Sequence, residues 1–261
     1  MWWQTEYRFF EGALLVQSGY GSIYNGVIDV PLQSQIDESP YINRVFALFR
    51  NQMVQGKYSV DVRAFINLDL ERYINDSVID TAIARLHQKC TFKKSVLCLP
   101  PHTTTWLDTG DGDFIHECFQ EKLLDVKPEM LCLILLPVKM SDMHWGLMVL
   151  DVRSKEAFFD DGLKWTFPRI SYVHQIMREV HSEFPVCDNF SSKQWRSLET
   201  FKSLGMPRQP SNGQFVGSGS CGVGGILSAR DFLMSDQPVQ PSWTFDEMTF
   251  LRKEIMKLLS L

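Results

Sequence analysis

The hydrophobic residues change their spacing along the chain, and each spacing predicts one kind of element. Residues 131–138 form an uninterrupted apolar run of strand length, which is typical of a fully buried strand. Two further segments, 145–152 and 156–160, have strand character and are separated by a short polar turn at 153–155. A pair of this kind predicts a β-hairpin. The middle of the chain is therefore expected to form neighbouring strands.

Helical spacing of apolar residues occurs on both sides of these strands. The first clear case lies at 78–86, where Asn75 or Asp76 is a natural N-cap. The same pattern predicts helices at 41–55, 114–124, 170–184, 195–204 and 245–259, the last with Thr244 as its N-cap. Residues 94–99 are expected to form a short strand, and residues 102–113 a loop.

Residues 214–233 combine a glycine- and serine-rich loop with the start of an apolar helix. The loop leads into Cys221 and Gly222, and helical spacing begins after Gly225. A helix N-terminus carries unsatisfied N–H groups and the positive pole of the dipole, which favour the thiolate form of a cysteine. Gly222 would let a substrate backbone pass close to the sulfur. The stretch predicts a nucleophilic cysteine, although by itself it also fits a small buried cysteine beside an ordinary loop.

A nucleophilic cysteine needs a histidine base, and the predicted hairpin supplies a candidate. His144 heads one strand, and Asp160 or Asp161 closes the other. If the strands pair around their turn, a carboxylate lies close to the imidazole and can fix its tautomer. The remaining histidines have no comparable neighbourhood: His87, His102, His116, His174 and His181. The sequence thus favours a histidine, aspartate and cysteine constellation in that chain order.

Composition narrows the classes of function. The 261 residues are 44% hydrophobic and 22% charged, which fits one large globular domain or one domain with an N-terminal extension. A net charge of -5 argues against a general nucleic-acid binder. The longest apolar run is too short to span a bilayer, and no signal segment opens the chain. Six cysteines without CxxC pairs predict reduced thiols in the cytoplasm or nucleus and no zinc site.

Taken together, these motifs resemble the Ulp/SENP family of ubiquitin-like-protein-specific cysteine proteases. The matching segments are HWGLxxxD from residue 144, DxL from residue 161, and CG at residue 221 after a glutamine. Upstream, YINDxVI from residue 73 resembles the family motif Trp-Leu-Asn-Asp-x-x-Ile, and the last helix, with Arg252, is similar to the family's closing helix. The resemblance covers roughly residues 60–261.

The resemblance implies an α+β, papain-like cysteine protease fold with a central mixed or antiparallel sheet flanked by helices. The domain would occupy residues 59–261, behind an N-terminal extension at 1–58 of uncertain role. It also implies hydrolysis of peptide or isopeptide bonds after the Gly-Gly terminus of a ubiquitin-like modifier such as SUMO. Partners would be the modifier and its conjugates, and a monomer without cofactor, metal, nucleic-acid or membrane partner is expected.

Individual roles follow from the resemblance position by position. His144 is expected to be the base, Asp161 its orienting carboxylate and Cys221 the nucleophile. Trp145 and Tyr73 match the aromatic pair that clamps the diglycine tail. In the same motif as Tyr73, Asp76 matches a position that contacts the modifier.

The chain departs from the family pattern at two points. Tyr73 stands where the family usually has tryptophan, which keeps an aromatic lid of a different size. The glutamine of the oxyanion hole normally precedes the cysteine by six residues, but Phe215 occupies that position. Gln214, one residue further upstream, is the preferred donor because a one-residue bulge needs little remodelling. Gln209, which opens a segment similar to the family's Gln-Pro-Asn-Gly, is the alternative.

Two other functions fit the same residues. A triad of this kind forms a thioester that an amine could intercept instead of water, so an acyltransferase is possible on this scaffold. Alternatively, the aromatic pair could hold a modifier in a catalytically idle binding module. Intact His144, Asp161 and Cys221 favour the protease over the idle module.

Overall fold

The computed structural model describes the chain from Ile74 to Leu259 in nine segments. These are residues 74–124, 126–141, 144–163, 170–185, 190–191, 195, 199–207, 220–235 and 243–259. The expected N-terminal extension at 1–58 and the helix expected at 41–55 lie outside them, as do Tyr73, Gln209 and Gln214. The division of the chain at residue 58 therefore stays a prediction.

A five-stranded mixed sheet organises the described residues. Its strands are β1 (Val96–Cys98), β2 (Leu133–Ser141), β3 (His144–Asp151), β4 (Glu156–Asp160) and β5 (Lys202–Ser203), and they lie in that order across the sheet. β1 runs parallel to β2, and β5 runs parallel to β4. The central strands β2, β3 and β4 are antiparallel. The short strands thus lie at the edges, and the long apolar ones lie in the middle.

The central hairpin forms where the sequence predicts it. All eight residues of β3 are buried, as expected for a strand covered on both faces. Leu147 pairs with Asp160, the last residue of β4, so the start of β3 extends three residues past the last pair of the ladder. His144 therefore lies opposite the chain that leaves β4. At the other end, Asp151 accepts hydrogen bonds from the backbone of Arg153 and Ser154 and closes the turn.

In the described segments, six α-helices flank the sheet: α1 (Asp76–Lys89), α2 (Thr103–Thr109), α3 (Gly112–Leu123), α4 (Ile170–Glu183), α5 (Ser220–Ser235) and α6 (Met248–Leu259). Asn75 caps α1 through a bond from Val78 N–H to its side-chain oxygen (3.2 Å), which decides between the two expected caps. α5 packs on α1 and β3, while α6 packs on α1 and α5. Among the described residues, no helix has both the length and the apolar character needed to cross a membrane.

A core of aliphatic and aromatic side chains joins the opposite face of the sheet to α2, α3 and α4. Ile134, Leu136 and Met148 from the sheet pack with Phe119 of α3 and Ile176 of α4. Alternation along a strand sends successive side chains to opposite faces, so the remaining apolar residues of β2 and β3 point to the side of the sheet on which α5 packs against β3. Helices on both faces explain why β2 and β3 show apolar runs instead of alternation.

Two expectations about the fold are wrong. The loop expected at 102–113 contains α2, whose Leu107 is buried in the core and whose C-terminus is Gly110 at φ 72°. Packing of a short helix against the sheet outweighs the poor helix propensity of its threonines. The helix expected at 195–204 gives way at its end to β5, because residues 202 and 203 pair with β4. Apolar spacing cannot detect a strand of two residues.

Candidate active site

The turn after β4 presents a buried carboxylate. The Oδ1 atom of Asp161 accepts a hydrogen bond from Leu163 N–H (2.9 Å), and its Oδ2 atom lies 3.1 Å from Nε2 of His144. Gly162, which lies between Asp161 and Leu163 in the chain, has φ 73°, a left-handed conformation that glycine adopts without strain. With 1% of its surface exposed, Asp161 is held in one orientation by its own backbone and aimed at the imidazole.

His144 is placed by the overhang of β3 beyond the ladder with β4. Its ring is 4% exposed and uses Nε2 for Asp161, which leaves Nδ1 for its side-chain hydrogen bond to Cys221. Burial alone would lower the pKa of the His144 imidazole, but the hydrogen bonds to Asp161 and Cys221 and the charges of both residues raise this pKa to about 9. The imidazole of His144 can therefore hold a proton at neutral pH.

Cys221 is the second residue of α5 and is buried. The first turn of a helix has N–H groups without intrahelical partners, and these, with the helix dipole, favour negative charge on a neighbouring sulfur. An oxygen that gains charge next to the sulfur can use the same N–H groups as donors. The position therefore suits a nucleophile that attacks a carbonyl carbon.

Glycines on α5 bring this helix close to β3. A Cβ atom on Gly222 would lie 2.6 Å from Cγ1 of Ile74 and 3.2 Å from Cδ1 of Trp145. A Cβ atom on Gly224 would lie 3.0 Å from the Trp243 ring. Glycine inside a helix costs about 1 kcal/mol relative to alanine. Here that cost is offset because the glycines let α5 pack closely against Ile74 and Trp145. This packing places the sulfur of Cys221 within reach of His144.

Trp145, expected to clamp a substrate tail, lies beside this junction. Its Nε1–H donates to the carbonyl oxygen of Ile74 (3.0 Å), and its side chain is 1% exposed. The bond joins the start of β3 to the residue that follows Tyr73 in sequence. Asp76, expected to contact a modifier, is the exposed first residue of α1. The structure thus brings together His144, Asp161 and Cys221, with Trp145 next to them and Asp76 at the surface.

Sequence reasoning missed a role for Asp160. Its carboxylate is 4% exposed and accepts hydrogen bonds from the turn that carries Asp161 and from residues 203 and 206. The signal in the sequence is the pair of adjacent aspartates followed by glycine, of which only one aspartate was given a task. Within the described segments, no group of three or more histidine, cysteine, aspartate or glutamate residues could hold a metal ion.

Comparisons with known proteins agree with this architecture. No protein-family model and no curated protein sequence matches the chain. Among solved structures, the SUMO protease Ulp1 with its catalytic cysteine oxidized to a sulfonic acid is 16% identical, with a TM-score of 0.60 over 83% of this chain and 92% of that one. The C-terminal Ulp1 protease domain in complex with Smt3, the yeast ortholog of SUMO, is 17% identical, with a TM-score of 0.54 over 78% and 84% of the chains.

A third similar structure is the catalytic domain of the Chaetomium thermophilum Ulp1-like SUMO protease. It is 19% identical and has a TM-score of 0.52 over 72% of each chain. The described part of the chain is an α+β domain with a mixed sheet flanked by helices. Its fold is that of the Ulp1 protease domains, which confirms the fold class implied by the sequence motifs.

Proposed function

We propose that this protein is a cysteine protease that acts on a ubiquitin-like modifier, with Cys221, His144 and Asp161 as its catalytic triad. The observation that carries the proposal is the buried pair of His144 and Asp161 (3.1 Å) hydrogen bonded onward to Cys221 at the start of a helix. A histidine held between a carboxylate and a thiol is the arrangement that a thiol nucleophile requires.

The reaction proceeds in two steps. The thiolate of Cys221 attacks the carbonyl carbon of the scissile bond, and protonated His144 gives its proton to the leaving amine as the C–N bond breaks. The product is a thioester on the sulfur. His144 then takes one proton from a water molecule whose oxygen attacks the thioester; the C–S bond breaks, a carboxylic acid is released that gives its remaining proton to solvent, and the thiolate and the imidazolium are restored. Asp161 keeps the ring oriented throughout.

We further propose cleavage of peptide or isopeptide bonds after the Gly-Gly terminus of a SUMO-like modifier. Support comes from the fold shared with a domain whose structure contains Smt3, together with the sequence motifs around Trp145 and Tyr73. In this proposal the two aromatic residues clamp the diglycine tail, and Asp76 contacts the modifier. Gln214 supplies a side-chain donor to the oxyanion, with Gln209 as its alternative. The enzyme would work as a monomer in the cytoplasm or nucleus.

A panel of modifier probes tests the activity and the specificity together. Propargyl or vinyl-sulfone derivatives of SUMO, ubiquitin and other modifiers trap a catalytic cysteine covalently, and intact mass identifies the adduct. We expect an adduct with a SUMO-like probe on Cys221 and none in Cys221→Ala. Absence of every adduct from a protein that still binds a modifier would contradict the protease and support an idle binding module. Transfer of the thioester to added amines in preference to water would instead identify an acyltransferase.

A further inference from the structure

Asp160 lies at the centre of a hydrogen-bond network that the triad itself does not explain. Its Oδ1 atom accepts from the backbone N–H groups of Asp161 (2.9 Å) and Gly162 (3.2 Å). Its Oδ2 atom accepts from Oγ of Ser203 (2.8 Å) and from the N–H of Met206 (3.2 Å). We call the first pair of bonds the inner arm and the second pair the outer arm. Each oxygen thus holds a different segment of chain.

We propose that Asp160 is a positioning residue for the catalytic carboxylate, acting through the inner arm on Asp161; the proposal rests on the triad proposed above. The inner arm fixes the two peptide groups that follow Asp160, which include the backbone from which the Asp161 side chain leaves. Asp161 repeats the arrangement one residue later by accepting from Leu163 N–H. The two consecutive turns leave the Asp161 carboxylate little freedom to rotate away from His144.

The outer arm extends this support toward the helix that carries the cysteine. Ser203 Oγ accepts from Gly205 N–H (3.0 Å), which folds residues 203–206 into a compact turn. Met206 is buried, and its sulfur would lie 3.4 Å from a Cβ atom built on Gly224 of α5. One carboxylate therefore connects the turn of Asp161 to a segment that packs against the helix of Cys221.

A direct electrostatic effect of Asp160 on the histidine is a different explanation. The charges and hydrogen bonds that raise the pKa of His144 come from Asp161 and Cys221. The oxygens of Asp160 are directed at neutral backbone and hydroxyl donors. A substitution that removes the charge of Asp160 but keeps an oxygen to accept the inner-arm hydrogen bonds should therefore preserve the geometry of the site. This difference separates positioning from charge.

The test measures alkylation of Cys221 by iodoacetamide, in which the sulfur bonds to carbon and iodide leaves. Peptide mass mapping distinguishes this thiol from the other cysteines, and the reaction needs no modifier. We expect Asp160→Ala to slow alkylation about 10- to 30-fold at pH 7, because a displaced His144 no longer stabilises the reacting thiolate, and an ordinary thiol with a pKa of about 8.5 is only about 3% ionised at this pH. Asp160→Asn should stay within about threefold of the wild type, because its carbonyl oxygen can still serve the inner arm while its amide group opposes Met206 N–H.

Asp151→Ala is the matched control, because this buried aspartate closes a similar turn at the far end of the same hairpin. Asp151→Ala should lower the melting temperature and leave alkylation unchanged. Equal loss of reactivity in Asp160→Ala and Asp151→Ala would mean that Asp160 serves stability alone. Loss in Asp160→Asn as large as in Asp160→Ala would mean that its charge acts directly. Either result overturns the proposal.

A double-mutant cycle with Asp161→Ala identifies the route of the effect. If Asp160 acts through Asp161, then Asp160→Ala should change alkylation less than about twofold once Asp161 is gone. A full effect in that background contradicts the proposal. If Asp160→Ala does not fold, Gly162→Ala disturbs the same inner arm at a residue with φ 73° and should give the same loss and the same coupling; unchanged reactivity would then contradict positioning.

The proposed function and this inference can fail separately. If no modifier probe gives an adduct but Asp160 and Asp161 remain coupled in the alkylation assay, the proposed substrate class is contradicted and the positioning role of Asp160 still holds. Normal alkylation in Asp161→Ala would sink the triad itself. Normal probe adducts together with no effect of Asp160→Ala would sink the positioning role alone.

Discussion

Each end of the β3–β4 hairpin has a buried aspartate that accepts backbone hydrogen bonds from the chain that follows it, but the two aspartates serve different purposes. At the turn end, Asp151 accepts from the backbone N–H groups of Arg153 (2.9 Å) and Ser154 (3.3 Å). At the site end, Asp160 accepts from those of Asp161 (2.9 Å) and Gly162 (3.2 Å). Both aspartates are the last residue of a strand, and both are buried. A strand that ends in aspartate followed by a turn is therefore not in itself a sign of catalysis.

The difference lies in the residues that each turn presents. The turn end presents Arg153, whose side chain is 42% exposed to water. The site end presents a second carboxylate that is buried against a buried histidine. In water a charge pair is weak, whereas the same pair away from water orients and protonates the ring. The catalytic potential of each end of the hairpin thus depends on which side chain the turn carries and on how deeply that side chain is buried.

The largest expected effect is loss of the histidine at the site end. His144→Ala should reduce kcat by about 10⁶-fold, and Cys221→Ala should be equally damaging, since the members of a triad act as a unit. Hydrolysis of a modifier fusion, with circular dichroism as the control for folding, measures this loss. Asp151→Ala at the turn end should keep full activity. Substantial hydrolysis by either site variant would contradict the proposed triad.

Replacement of the second carboxylate should have the next largest effect. Asp161→Asn should lower kcat by roughly 10⁴-fold with a small change in KM, because an amide no longer fixes the protonated ring. Residual activity should remain above that of His144→Ala. Asp160→Asn should lose far less. The opposite ranking of the two aspartates would show that the register of the hairpin differs by one residue, which sends a side chain to the other face.

The comparison of the two aspartates also shows how far sequence reasoning reaches. The hairpin could be predicted because long apolar strands leave a clear local pattern, whereas the choice of Asp161 over Asp160 as the partner of His144 came from the family resemblance. The hydrogen bonds that Asp160 accepts from Ser203 and Met206 could not be predicted, since these residues are more than 40 positions away in sequence and meet Asp160 only in the fold. Tertiary contacts of this kind have no periodicity to detect.

Other features were hidden for related reasons. The strand at residues 202–203 exists only through pairing with β4. The glycines of α5 could be taken for loop residues, although their role is to let a helix approach Ile74, Trp145 and Trp243. The helix at residues 103–109 is stabilised by packing on the sheet and has no strong propensity of its own. Local patterns thus predict long elements better than the short ones that complete the site.

A change of pH should affect the site end and spare the turn end. The pKa of His144 is raised to about 9, above the ordinary value of roughly 6.5. Stabilisation from its protonated form is therefore fully present below about pH 6.5 and is lost as the pH rises through about 9. We expect kcat/KM to fall about tenfold per unit above pH 9. In Asp161→Asn this decrease of kcat/KM should begin at lower pH, because the carboxylate no longer raises the pKa of His144. If the decrease begins at the same pH as in the wild type, a group other than His144 causes it.

The smallest expected effect comes from the exposed ion pair at the turn end. Nε of Arg153 lies 3.5 Å from Oδ1 of Asp151, but the arginine side chain is 42% exposed, and pairs of this kind contribute roughly 0–1 kcal/mol. Arg153→Ala should therefore change the free energy of unfolding by less than about 1 kcal/mol in a urea titration. It should leave alkylation of Cys221 unchanged, because the backbone bonds that Asp151 accepts from residues 153 and 154 do not need the guanidinium. Loss of reactivity in Arg153→Ala would mean that the two ends of the hairpin are coupled and that Asp151 is not a neutral control.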